Sequence, residues 1–152
     1  MNTTKFLICV LLIFTLLPIN VLAAPETIDA TNIIYFEDGS YLTITTIAVD
    51  TRGNFTRSGS RLYEYYNSSN VKKWEATLFA TFIYDGASCT CASSSVQVNI
   101  LDDAWYIVSK EEGKSGNTAT GELTMGYKFL GITTTKKTVS MRITCDKDGN
   151  LS

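Results

Sequence analysis

Histidine is absent from the 152 residues of this chain, which excludes the usual imidazole-dependent serine and cysteine hydrolase arrangements and most imidazole metal sites. Proline is scarce, at 2 residues, and only 18 % of the chain is charged. No basic cluster is long enough to track a phosphate backbone, which argues against nucleic acid as a partner. No run carries a helical period, and no repeat recurs at a fixed spacing. Cysteines number 4. One of them, Cys9, sits inside an apolar run behind Ile8 rather than at its end behind a small residue, which does not suit lipid attachment.

What is present begins with an N-terminal address. Lys5 precedes an apolar run from Phe6 to Leu17, and the segment closes on Val21-Leu22-Ala23. This is the pattern of a secretory signal, so residues 1–23 are expected to be removed and Ala24 to begin the exported protein. The competing reading, an uncleaved anchor over Phe6–Ala24, requires a span of about 20 residues. After cleavage no membrane segment is left. Without Lys5, one of 13 basic residues facing 15 acidic ones, the net charge becomes −3 (12 − 15). The rest, 45 % hydrophobic over the whole chain, is long enough for one domain with a real core.

The longest strand-like run is Lys73–Tyr84, KWEATLFATFIY. Trp74, Ala76, Leu78, Ala80, Phe82 and Tyr84 share one apolar face, the alternation of a strand with its inner side buried. Residues 24–32 read as a polar leader, flexible or paired at an edge, with order beginning at Ile33. A first hairpin turns at Asp38-Gly39, a tyrosine-rich strand runs through RLYEYYN, and Asp85-Gly86 turns the central strand into Cys89–Ile100. In that strand Cys89 and Cys91 have the opposite parity to Val96, Val98 and Ile100, and a bulge in the serine run would bring both sets to one side. Asp102-Asp103 turns the chain into AWYIVSK, and Glu111–Gly116 reads as a charged turn. A long strand follows to Phe129, and KTVSMRITC closes the domain with Cys145 pointing inward. The expectation is an all-β, antiparallel sandwich or small barrel of seven or eight strands over 33–152.

Export would expose Cys89, Cys91 and Cys145 to an oxidising exterior. Cys89 and Cys91 are too close along a strand to pair readily, so a bridge would join one of them to Cys145, leaving a third thiol that is either buried or available between molecules. Without histidine, three thiols make a poor zinc site. Asp146-Lys147-Asp148-Gly149-Asn150 resembles the start of a calcium loop but lacks the later bidentate glutamate. No cofactor or metal is expected. The sequons at Asn54, Asn67 and Asn150 fall in loops and matter only in a eukaryotic host.

Catalysis would need carboxylates. Asp102 with Asp103, or Glu111 with Glu112, are neighbours that point to opposite faces when extended, so neither dipeptide is a ready-made acid–base pair. The aromatics suggest more. Tyr63, Tyr65, Tyr66, Trp105 and Tyr106 crowd strand positions, and of adjacent residues such as Tyr65 and Tyr66 one must face away from the core. An exposed ring on a sheet can stack on a sugar or meet a protein.

The segment YEYYNSSNVKKWEATLFATFIYDGASCTCASSSV, the strand KSGNTATGELT and the ending ITCDKDGNLS resemble a family of small secreted proteins from Gram-positive bacteria, of unknown function. The resemblance covers most of the chain after the signal. It implies export from a bacterial cell and a disulfide between Cys91 and Cys145, with Cys89 an extra cysteine, and it supplies no catalytic residues. The expectation is therefore a secreted or cell-surface module, not an enzyme, that binds a glycan, a cell-wall polymer or a cell-surface protein. Alternatives are a small carboxylate-dependent hydrolase and a self-assembling or toxin-like protein. The sequence does not fix the oligomeric state.

Overall fold

A computed structural model of the chain describes residues 26–50 and 55–152. The expected signal segment and its expected cleavage point, with Cys9 and Asn54, lie outside the described residues. Among the described residues eight antiparallel strands and no helix make up the fold: β1 (Glu26–Tyr35), β2 (Tyr41–Asp50), β3 (Thr56–Tyr66), β4 (Lys72–Tyr84), β5 (Cys89–Ile100), β6 (Trp105–Ser115), β7 (Thr118–Phe129) and β8 (Ile132–Thr144). Neighbours in sequence are neighbours in space, in a five-stranded sheet ordered β1-β2-β3-β4-β5 and a three-stranded sheet ordered β6-β7-β8. The arrangement is a sandwich and not a closed barrel. A backbone strand occupies Glu26–Asn32, paired antiparallel to β2 at the edge, so the fold starts before Ile33.

The core lies where the sequence pattern puts it. Trp74, Leu78, Phe82, Leu123, Met125, Ile143 and Cys145 are fully buried, from β4, β7 and the end of β8. The register of β4 against β5 shifts between Thr81 and Phe82, so that Ser93 faces Thr81 and Cys91 faces Phe82 with Ala92 left over. This is the expected bulge, and it turns Cys91 inward beside Val96. Gly121 of β7 lets the two sheets approach. A Cβ there would stand 2.6 Å from Val96 Cγ2 and 3.2 Å from Met141 Cε.

One expectation is overturned at β6. Glu111 and Glu112 are not in a turn: they belong to β6, facing Glu122 and Gly121 of β7. The charges mislead because alternate residues of β6 serve the open edge of β5, to which β6 makes no backbone ladder. Lys110 Nζ donates to Val96 O at 2.9 Å, Val96 N donates to Glu112 Oε2 at 2.7 Å, and Lys114 Nζ donates to Ala92 O. Charged side chains thus saturate an edge that would otherwise offer unpaired backbone groups. Glu112→Ala orphans the N–H of the buried Val96 and is expected to cost about 1–3 kcal/mol in chemical denaturation. A variant within about 0.5 kcal/mol of the parent, the range of ordinary surface changes, would show that the latch carries no weight.

Candidate functional site

In an up-and-down chain the β1–β2, β3–β4, β5–β6 and β7–β8 turns share one end of the sandwich. Three of these turns, together with the strands that flank the fourth, contribute to a pocket of about 210 Å³. Asp38 comes from the first turn, Asn67 from the second, Asp102 from the third, and Tyr127 and Thr135 from the strands that flank the fourth, while Lys73 and the rings of Tyr65 and Trp105 complete it. The aromatic floor follows from the register. Tyr65 pairs with Trp74 across β3 and β4, and Trp105 pairs with Tyr127 across β6 and β7, so the sheets meet through rings. Tyr65 stacks on Trp74 with centroids 5.1 Å apart and 8° between planes, and meets Trp105 edge-on at 5.0 Å. Trp105 lies 5.4 Å from Tyr127.

The polar groups are held by short-range bonds. Asp102 Oδ2 accepts Lys73 Nζ at 2.8 Å while its Oδ1 accepts the Ala104 N–H at 2.9 Å. Lys73 and that N–H together hold the carboxyl below its ordinary range. Asp38 accepts from Lys137 at 2.7 Å and from Ser40. The Lys137 hydrogen bond is the larger cause that depresses Asp38 from 3.8 to about 2. Lys137 also stands 4.3 Å over the Phe36 ring, which fixes its stem. Asn67 Oδ1 accepts the N–H groups of Ser69 and Val71, so this sequon residue acts here as a turn former.

A pH effect follows with a definite sign. Because the folded-state value of Asp38 is depressed, its stabilisation is present above 3.8 and is lost as pH falls toward about 2. The carboxylate side chain is 52 % exposed, and screening holds the pair's worth below about 1 kcal/mol. Asp38→Asn is expected to be slightly less stable than the parent at pH 5, with the difference shrinking as pH falls below 3.8 and gone once it has passed below about 2, measured by denaturant unfolding across pH. A constant difference over that range would contradict the assignment.

The five aromatics that the sequence offers as possible ligand-binding residues divide. Tyr63, Tyr65 and Trp105 are buried in the core, and of the five it is Tyr65 and Trp105 that line the pocket. Burial raises the Tyr63 hydroxyl above its ordinary value. Tyr66 and Tyr106 are half-buried. Tyr66 stacks on Tyr41 at 4.9 Å and 7°, and the Tyr106 hydroxyl and Thr133 Oγ1 share a hydrogen bond of 2.6 Å beneath Lys128. In the sequence Asp38 is legible only as a turn residue and Lys73 only as the start of a strand, and the meeting of both with Tyr127 and Thr135 is found only through the fold.

The carboxylates weighed and set aside in the sequence are dispersed. Asp102 and Asp103 sit in the β5–β6 turn, while Glu111 and Glu112 line a separate, more open depression on the three-stranded sheet. Asp146 Oδ1 accepts the N–H groups of Asp148 and Asn150, making the calcium-like ending a hydrogen-bonded turn. Among the described residues no group of histidine, cysteine or acidic side chains could hold a metal ion. All three described cysteines are free, so no Cys91–Cys145 bond is present; the Cys91 thiol donates to Ser93 O at 3.3 Å.

No protein-family model, curated protein or solved structure matches the chain.

Proposed function

We propose that this is an exported, non-enzymatic β-sandwich module that binds one saccharide unit of a cell-wall polymer or another glycan in the pocket at its turn-rich end. The observation that carries the reading is the convergence, from three turns and the strand ends beside them, of an aromatic floor and fixed donors and acceptors. Sugar rings present apolar C–H faces to aromatics and hydroxyls to carboxylates, amides and ammonium groups, and the pocket offers both. Its volume of about 210 Å³ falls below the range of sites for drug-sized ligands, roughly 300–1,000 Å³, and suits a single ring.

The same geometry argues against the hydrolase alternative. A general acid needs a carboxyl with a raised pKa, and both carboxyls at this pocket are lowered by lysine partners. Export and a bacterial origin accord with the resemblance to secreted Gram-positive proteins.

Titration calorimetry of the purified exported form against a panel of cell-wall polymers and oligosaccharides tests the reading. Saturable binding with a Kd on the order of 0.1 mM, about −5.5 kcal/mol, is expected for one of them. Failure with every glycan would favour the protein-partner version. Its contact would be the β7–β8 tip, where Phe129, Leu130 and Ile132 are exposed and Leu130 is held at φ 50 in the left-handed region, which leucine rarely adopts.

A further inference from the structure

We propose that Cys89 and Cys145 form a disulfide in the exported protein, with Cys91 left as a buried thiol. Two features of the backbone bring the pair together. Cys89 is the register partner of Tyr84 at the base of the β4–β5 hairpin. The turn that begins at Cys145 lies against that same base: Gly86 N donates to Lys147 O at 3.0 Å, and the Gly149 backbone packs on the Tyr84 ring, where a Cβ would come within 2.7 Å of it. Cys91 lies two residues farther into β5. Its N–H is committed to Gly116 O at 2.8 Å and its thiol to Ser93 O.

The side chains agree with this placement. Cys145 is completely buried, and Cys89 is half-buried against the same apolar cluster. Burial, and next the hydrogen-bonded Cys89 thiol, push Cys145 up to about 12; Asp146 adds to the rise and Arg57 opposes it. Cys89 neighbours both other thiols, and the hairpin base that it shares with the turn after Cys145 decides the pairing.

The oxidant is a small disulfide such as glutathione disulfide, and accessibility sets the order of events. The half-buried Cys89 thiolate attacks one sulfur of the reagent, whose S–S bond breaks and releases one glutathione thiol. Cys145, as thiolate, then attacks the Cys89 sulfur of the mixed disulfide and releases the second. The two protein thiols lose two protons and two electrons, and one reagent disulfide becomes two thiols.

The test is to oxidise the reduced protein with glutathione disulfide, block remaining thiols, digest it and map the peptides by mass spectrometry, in the parent and in Cys89→Ser and Cys91→Ser variants. The proposal expects the parent and Cys91→Ser to yield the cross-link to Cys145 and Cys89→Ser to lose it. It also expects reduction to lower Tm by roughly 10 °C in the parent and in Cys91→Ser. Circular dichroism establishes that each variant is folded, and Cys9, if retained, is read on its own peptide. A cross-link kept by Cys89→Ser and lost by Cys91→Ser would overturn the assignment. So would bridges only between chains, or three unreacted thiols after prolonged oxidation.

Discussion

Trp74→Ala is expected to cost roughly 3–5 kcal/mol of folding free energy, the range for truncating a large buried aromatic. Trp74 is completely buried in β4, stacks on Tyr65 and lies 6.2 Å from Trp105, so its removal leaves a void between the two sheets. Trp74→Phe should cost far less than alanine for a second reason. Among the described residues the buried indole Nε1 has no hydrogen-bond partner, and an unpaired buried donor carries a penalty of about 1–3 kcal/mol that phenylalanine removes. The lost area and the relieved donor therefore oppose each other. Urea unfolding of both variants checks this. Equal losses for alanine and phenylalanine would mean that the indole N–H is satisfied in solution.

The second large effect concerns binding. Thr135→Trp places an indole at the mouth of a pocket of about 210 Å³, enough to fill most of it, and is expected to weaken saccharide binding by at least about tenfold, or 1.4 kcal/mol. Thr135 lies on β8, the edge of the three-stranded sheet, opposite Tyr127. It belongs to none of the ion pairs that hold the rim, so stability should change little. A paired Asp102→Asn variant separates charge from shape: it keeps the acceptor for the Ala104 N–H but weakens the hold on Lys73. Loss of binding in Thr135→Trp with partial retention in Asp102→Asn is the expected pattern. Unchanged affinity in Thr135→Trp would place any glycan site elsewhere.

These effects arise from features of unequal legibility. The central strand was readable because its apolar positions alternate without interruption, and both the serine-run bulge and the inward Cys145 followed from parity alone. Tyr65 and Tyr66 do face opposite ways, as adjacent strand residues must. The alternation rule could not say which member of a pair meets the other sheet, and Tyr63, Tyr65 and Trp105 proved to be core because the two sheets close through their rings. The extension of β6 through Glu111–Ser115 was hidden by its charges. Lys110, Glu112 and Lys114 serve backbone groups 14 to 22 residues away, a destination that local composition cannot reveal. The pocket was the least legible feature, since the Asp38–Lys137 bond joins residues 99 positions apart.

The pocket also accounts for an apparent conflict. The buried Tyr65 and Trp105 cannot form a flat stacking platform, yet both contribute an edge to a cavity whose other walls are polar. The proposed saccharide recognition would depend on the ion pairs that keep Asp38 and Asp102 charged and aimed, and less on aromatic area.

The most direct measurement is a two-dimensional NMR titration of the ¹⁵N-labelled exported form with the best-binding glycan, following the Trp105 indole and the backbone amides of Asn67, Asp102, Tyr127 and Thr135. The account predicts that these signals shift together and saturably, while those around Glu111, Glu122 and Arg142 stay in place. Shifts confined to that other face, or to the β7–β8 tip, would contradict it.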